Sequence, residues 1–386
     1  MTLEQIATLL NDTLVPNILG AEADPVAPDL TNVIDLGTKI ANIDGDTLKN
    51  YTKDFALGVI RTYFDTKAYQ KVSPDIYIDS IDYGGAIQRV KARLAQASTS
   101  PIYNLQNGTR YDQDTYHEPE FNVKLYTKST IFRLEFSIPN QKWVKAFTGP
   151  EGVQGIVSLI YSIIDRTLTN EIYALTMSMF NYLGVKSAAR EVKLVTLYNQ
   201  TMNPTTPLTA ATALHDFDFL QFAAEQIMLV RDYVRDMNSK YNDGEVENFT
   251  SEEDLRVTVL NMIDKAMIAK LRANTYHENL LNVGRYSTVN SWMGTGTALL
   301  PTLAVVGKMA AVTTPADPEA GTEEVVTTLN NVIGLVYDRY TLGITSTPLP
   351  TRSHYNANGD FTNYFMDRQA DYYIDTRETA VVLTLN

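Results

Sequence analysis

Cysteine is absent from all 386 residues. Its absence excludes a disulfide scaffold, a thiolate metal site and a cysteine nucleophile, and it suits a chain that assembles in a reducing cytoplasm. Histidine is scarce, with four residues at His117, His215, His277 and His354 and no pair at ligand spacing. A histidine-built metal site is therefore not expected. There is no run of Lys or Arg. The 32 basic side chains face 45 acidic ones, a net charge of −13, whereas a groove that wraps nucleic acid needs a basic face. The start, Met1-Thr2-Leu3-Glu4-Gln5-Ile6, lacks the basic and apolar parts of a secretory signal. Residues 286–307 are uncharged and long enough to tempt a membrane reading. Asn290, Gly294, Gly296 and Pro301 interrupt them, so they predict a loop with a short apolar strand in a soluble protein. The sequons at Asn107 and Asn199 then read as chance matches, because glycosylation needs secretion.

What is present is an ordinary folding composition, 44% hydrophobic and 20% charged, enough for a sizeable core in two or three lobes. Tyrosine is abundant, 23 against two tryptophans, which fits either half-wet interfaces or a tyrosine-rich sheet surface. Chemistry is hard to find. Asp216-Phe217-Asp218 places two carboxylates close together, as glycosidases and magnesium sites do, but at a helix start, where acids satisfy unpaired N–H groups. Gly294-Thr295-Gly296-Thr297 is glycine-rich without the phosphate-loop pattern. Ser291 and Ser353 lack a nucleophile elbow. His117-Glu118-Pro119-Glu120 reads as a polar loop before a strand, and Met177, Met179 and Met262 read as core. No catalytic residue, cofactor or metal is expected.

Along the chain, Pro16, Gly20, Pro25, Pro28, Gly37 and Gly45 punctuate residues 1–45 and predict an extended arm after a helical turn or two. Asp46 is a cap for a helix reaching about Tyr69, Pro74–Ile78 is a strand, and Gly85–Ala97 a shorter helix carrying Arg89, Lys91 and Arg93. Phe121–Tyr126 and Ile131–Ile138 both alternate, with a short polar gap, and predict a β-hairpin. Apolar residues stand on both of its faces, so it should pack on something beyond itself. The strongest signal follows Gly149-Pro150-Glu151. Val153, Val157, Ile160, Ile164, Leu168, Ile172, Leu175, Met179 and Leu183 step by threes and fours and predict a helix of roughly 50 Å, closed by Gly184. Further on, Val192–Tyr198 reads as strand, Phe217–Tyr241 as helix capped by Asp216 or Asp218, Arg256–Leu260 as buried strand and Ile263–Leu281 as helix. Thr314–Gly321 reads as exposed loop, Asn331–Tyr337 as strand and Ala380–Asn386 as a terminal strand.

This order of arm, alternating pair, oversized helix, buried strand and terminal strand resembles the major capsid protein of tailed bacteriophages, with its Hong Kong 97-type α+β fold. Val257–Asn261, Val332–Tyr340, Phe361–Phe365, Ala370–Tyr373 and Glu378–Leu383 carry the rest of the likeness. The resemblance implies an N-terminal arm over 1–45, a peripheral domain beginning at 46–97 and an extended hairpin loop over 98–140. It further implies a long spine helix within a peripheral segment 141–195, an axial domain over 196–342 and a return to the peripheral domain over 343–386. The implied function is a structural shell protein of the virion, assembled in the host cytoplasm as hexamers and pentamers around double-stranded DNA. Scaffolding, portal and decoration proteins are implied partners; a membrane is not. Phe121, Lys124, Lys128, Phe132 and Arg133 are the candidate assembly residues. Some relatives cross-link a loop lysine to an asparagine; Lys124 and Lys128 lie in the candidate hairpin, but no partner is identifiable. The alternatives are a carboxylate hydrolase using Asp216, Asp218 or Glu225, and an encapsulin-like compartment shell.

Overall fold

The computed structural model describes residues 3–18, 25–30, 33–40, 55, 76, 87–94, 101–111, 118–274, 286–294, 296–315 and 323–386. Helices α1 (Leu3–Thr13), α2 (Val15–Ile18) and α3 (Val33–Ile40) come first, followed by strands β1 (Ile87–Ala92), β2 (Phe121–Tyr126) and β3 (Ser129–Pro139). Next are α4 (Asn140–Ala146), α5 (Pro150–Lys186), β4 (Glu191–Lys193), α6 (Leu194–Met202), α7 (Ala210–Ala213) and α8 (Phe217–Tyr233). Then come β5 (Leu255–Leu260), α9 (Asn261–Asn274), β6 (Tyr286–Val289), α10 (Leu303–Val306), β7 (Met309–Thr314) and β8 (Val325–Leu329). The chain closes with β9 (Val332–Asp338), β10 (Leu342–Pro348), β11 (Arg352–Asn356), β12 (Phe361–Ile374) and β13 (Ala380–Thr384).

Helix α5 runs unbroken for 37 residues, with Pro150 in its first turn and Glu151 beside the positive end of its dipole. At 1.5 Å per residue it is about 55 Å long. Its length follows from serving two cores. Val153, Val157, Ile160, Ile164 and Leu168 form a stripe in the first, with Ile6, Leu10, Leu134, Phe136, Trp143, Tyr364 and Met366. Met177, Met179, Phe180 and Leu183 lie in the second, among Leu220, Val257, Val336 and Val382. Gly184 is not the closing cap. A Cβ there would stand 2.2 Å from the Met309 sulfur, so glycine lets β7 approach while the helix continues to Lys186.

The second core wraps a five-stranded sheet in the order β4-β13-β9-β5-β6. Every residue of β5, β9 and β13 is buried, which is why these strands read as apolar runs and not as alternation. The first core underlies a sheet in which β12 pairs with β3 along all eleven of its residues and with β10 and β11 on its other side.

Several expectations need correction. Among its described residues the arm holds three helices, and Ile6, Leu10, Leu14, Val33 and Leu36 bury in the first core. Pro16 sits in a first turn, where it displaces no hydrogen bond. Residues 87–92 are strand, not helix. The strands β2 and β3 form, but not with each other: β2 pairs with β1 and β3 with β12. Thr127-Lys128 between them offers no residue suited to the positive φ of a two-residue hairpin turn, so the chain passes from one sheet to the next. The two-stranded ribbon is made instead by β1 with β2. The strand at Val192 stops at Lys193, because Leu194, Val195 and Tyr198 take helical spacing into the second core. Helix α8 ends at Tyr233, short of Tyr241. The last strand β13 joins β4 and β9, whereas β10 to β12 lie in the sheet of β3. The Asp46–Tyr69 helix apart from Phe55, the Pro74–Ile78 strand apart from Ile76, residues beyond Asn274 in the Ile263–Leu281 helix, and most of the Thr314–Gly321 loop lie outside the described residues.

Candidate assembly surface

Strands β1 and β2 make an antiparallel ribbon from Ile87 opposite Tyr126 to Ala92 opposite Phe121. Alternate side chains take opposite faces, and the faces are reversed relative to a sheet that folds its own core. Ile87, Arg89, Lys91, Asn122, Lys124 and Tyr126 turn towards the subunit. The outward face carries Val90, Phe121, Val123 and Leu125, which remain 55%, 64%, 52% and 61% exposed. Ile102, Tyr103 and Leu105, in the segment between the two strands, are exposed as well. A lone two-stranded hairpin is marginal in water, so the inward polar face must hold this one.

That face rests on the turn between β12 and β13 and on a loop at 243–248. Glu378 receives the Arg89 guanidinium at 3.0 Å and the Lys91 ammonium at 2.7 Å, and its second oxygen also accepts from Asn248 Nδ2 at 2.7 Å. Arg89 also donates to Tyr340 O and lies over the Tyr373 ring, 5.3 Å from its centroid. Gly343, opposite Tyr373, makes room for that ring, since a Cβ there would stand 2.1 Å from it. Arg377 and Asp375 are fully buried beneath the ribbon and paired at 2.8 Å. Burial pushes the Asp375 carboxyl up, but the Arg377 and Arg89 guanidiniums more than offset this and hold it below the usual range. Burial, then the charge of Glu378, push the neighbouring Asp338 carboxyl up to about 6, although the Tyr340 N–H donates to it at 2.8 Å.

Of the residues expected at an assembly surface, Phe121 and Lys124 lie on the ribbon, on opposite faces. Lys124 pairs with Asp243 at 3.1 Å and Glu245 at 3.0 Å. Burial works against its ammonium, and the two carboxylates outweigh that and raise its pKa. Lys128 lies in the link to β3 with its ammonium 5.8 Å from the centre of the Tyr182 ring. Phe132 is half-buried on β3 opposite Arg368, and Arg133 pairs with Asp367 at 2.6 Å. Phe132 and Arg133 stand in the subunit's own sheet. Sequence reasoning missed Val90, Val123, Leu125 and the clamp of Arg89, Asp375, Arg377 and Glu378. The period-two pattern of Ile87, Arg89 and Lys91 against Gln88, Val90 and Ala92 was the available signal for the first strand.

The catalytic alternatives find no support. Asp216 caps α8, accepting the Phe219 N–H at 2.8 Å, and Glu225 is exposed on the same helix. Ser291 closes a turn onto Gly294 O at 2.8 Å, and Gly294 and Gly296 take positive φ there. Among the described residues no three His, Asp or Glu side chains are grouped as metal ligands, and no helix is long and apolar enough to cross a membrane.

Two cores share one rod, and an apolar ribbon face is turned away from both. The chain belongs to the family of Phi29-like phage major capsid proteins, whose profile matches residues 25–384. It is a phage capsid protein with the Hong Kong 97-type fold, a component of the virion shell that functions as a homo-oligomer. No curated protein matches it in sequence. Among solved structures it is similar to a chain in the capsid of Staphylococcus phage Andhra, at 9% identity, covering 81% of this chain and 84% of that one with a TM-score of 0.50. It is also similar to a chain of the mature capsid of bacteriophage PhiM1, at 10% identity over 80% and 84% with a TM-score of 0.41.

Proposed function

We propose that copies of this chain close into an icosahedral shell of hexamers and pentamers around double-stranded DNA, assembling in the host cytoplasm, and that the outward face of the β1–β2 ribbon is covered by a neighbouring copy. The observation that carries this reading is the reversed ribbon, with four large apolar side chains half or more exposed and the charged face inside. Burying each one contributes roughly 1.5–3 kcal/mol, repeated at every equivalent site. The net charge of −13 suits a container whose wall does not grip its cargo through phosphate contacts. Scaffolding, portal and decoration proteins are partners of such a shell, and the chain carries out no turnover. The test is the double variant Val123→Asp, Leu125→Asp, followed by electron microscopy and thermal melting. The expected result is a folded subunit with an unchanged melting temperature that forms no closed particles. Normal particles from this variant would remove the ribbon from the interface.

A further inference from the structure

Beneath the ribbon, one side chain touches both of its strands. Arg377 donates from Nη1 to the carbonyl of Asn122 at 2.8 Å and to its side-chain Oδ1 at 2.9 Å, both on β2. From Nη2 it reaches the Arg89 carbonyl on β1 at 3.3 Å. Asp375 grips the same guanidinium from the turn, with Nε to Oδ1 at 2.9 Å and Nη2 to Oδ2 at 2.8 Å. Two of the strand contacts are to main-chain carbonyls, so they fix the path of the ribbon whatever its side chains do.

We propose that Arg377 is a positioning residue for shell assembly: it bars both ribbon strands to the β12–β13 turn, so that the apolar face is presented at one fixed angle before copies meet. The inference rests on the assembly reading above and adds to it the group that sets the direction. Three observations support it. A buried ion pair is a poor source of stability, because desolvation offsets its attraction, and in some proteins such a pair specifies one arrangement instead. The planar fork of arginine is the group that can hold a carboxylate on one side and two separate carbonyls on the other, which a lysine ammonium cannot reproduce. The surrounding contacts point the same way, since Arg89, Lys91, Asn122 and Lys124 tie the ribbon to Glu378, Glu245 and Asp243 but only through flexible side-chain ends.

The chain's lack of cysteine makes a direct test possible. Spin labels at Ala92→Cys on the ribbon and Gln221→Cys on α8 report their separation in the unassembled subunit by pulsed dipolar spectroscopy. A narrow distribution is expected with Arg377 present. Arg377→Lys should broaden it, leave the circular dichroism of the helices unchanged, and give particles of mixed size or open sheets. A distribution that is already broad with Arg377, or one that stays narrow in Arg377→Lys, overturns the proposal. So does a broad distribution accompanied by uniform normal shells. If Arg377→Lys does not fold, the double variant Arg377→Met, Asp375→Leu removes both members of the buried pair together, a replacement that often leaves stability unchanged, and an unchanged width there overturns it. Normal shells from the Val123→Asp, Leu125→Asp variant would instead sink the assembly reading, so the two failures are distinguishable.

Discussion

Strands β2 and β3 are separated by two residues and carry the same alternation with opposite results. On β3, Leu134, Phe136 and Ile138 point into the first core and Phe136 stacks on Tyr364 at 5.3 Å. On β2, Phe121, Val123 and Leu125 point to solvent, while Asn122, Lys124 and Tyr126 lie inward. The difference comes from what lies beneath each strand. Under β3 there is the apolar stripe of α5, so its hydrophobic face stabilises the subunit. Under β2 there is a charged turn whose carboxylates and arginine select the polar face. One pattern thus contributes to folding in one strand and is left available for association in the next.

Four changes test this contrast, from the largest effect to the smallest. Ile164→Pro strikes the rod beneath β3; losing an internal hydrogen bond and clashing with the preceding turn should cost about 3 kcal/mol or more, seen as a lower denaturant midpoint or an unfolded subunit. A near-normal midpoint would mean that α5 tolerates a break there. Phe136→Ala on β3 should cost about 3 kcal/mol, which would separate the folding strand from the assembling one; a loss below 1 kcal/mol, at the level of surface substitutions, would erase the contrast. Asp338→Asn probes the charged floor under the ribbon. The folded-state pKa of Asp338 is raised from 3.8 to about 6, so its contribution to stability is full below about pH 4 and is lost as pH rises through about 6. The Asn variant keeps an acceptor for the Tyr340 N–H and should gain on the native chain as pH rises from 4 to 7, by up to about 3 kcal/mol. Parallel pH curves for the two proteins would reject this. Finally, Val123→Ala on β2 should shift subunit stability by no more than about 0.5 kcal/mol while slowing assembly followed by light scattering; a large drop in melting temperature would place Val123 in the subunit's own core.

Much of the frame was legible because it is written in local periodicity. The helix α5 showed as threes and fours, and β5, β9 and β13 as apolar runs that only strands covered on both faces can carry. The ribbon was half legible. Phe121–Tyr126 announced a strand, but its partner lies beyond a long intervening segment, in residues 85–97 that read as a short helix. The clamp was invisible for the same reason. Arg377 meets Asn122 and Arg89 only because the β12–β13 turn comes to rest under the ribbon, and no spacing along the chain encodes that meeting. The N-terminal helices were hidden by prolines that stand at or between their ends.

The double membership of α5 also has a calorimetric consequence. Ile164 belongs to one core and Phe180 to the other, yet both stand on the same uninterrupted ladder of hydrogen bonds, so neither core melts without unwinding the support of its neighbour. Two lobes that would otherwise unfold in succession are joined into one cooperative unit. The isolated subunit should therefore absorb heat in a single peak, with its van't Hoff and calorimetric enthalpies equal.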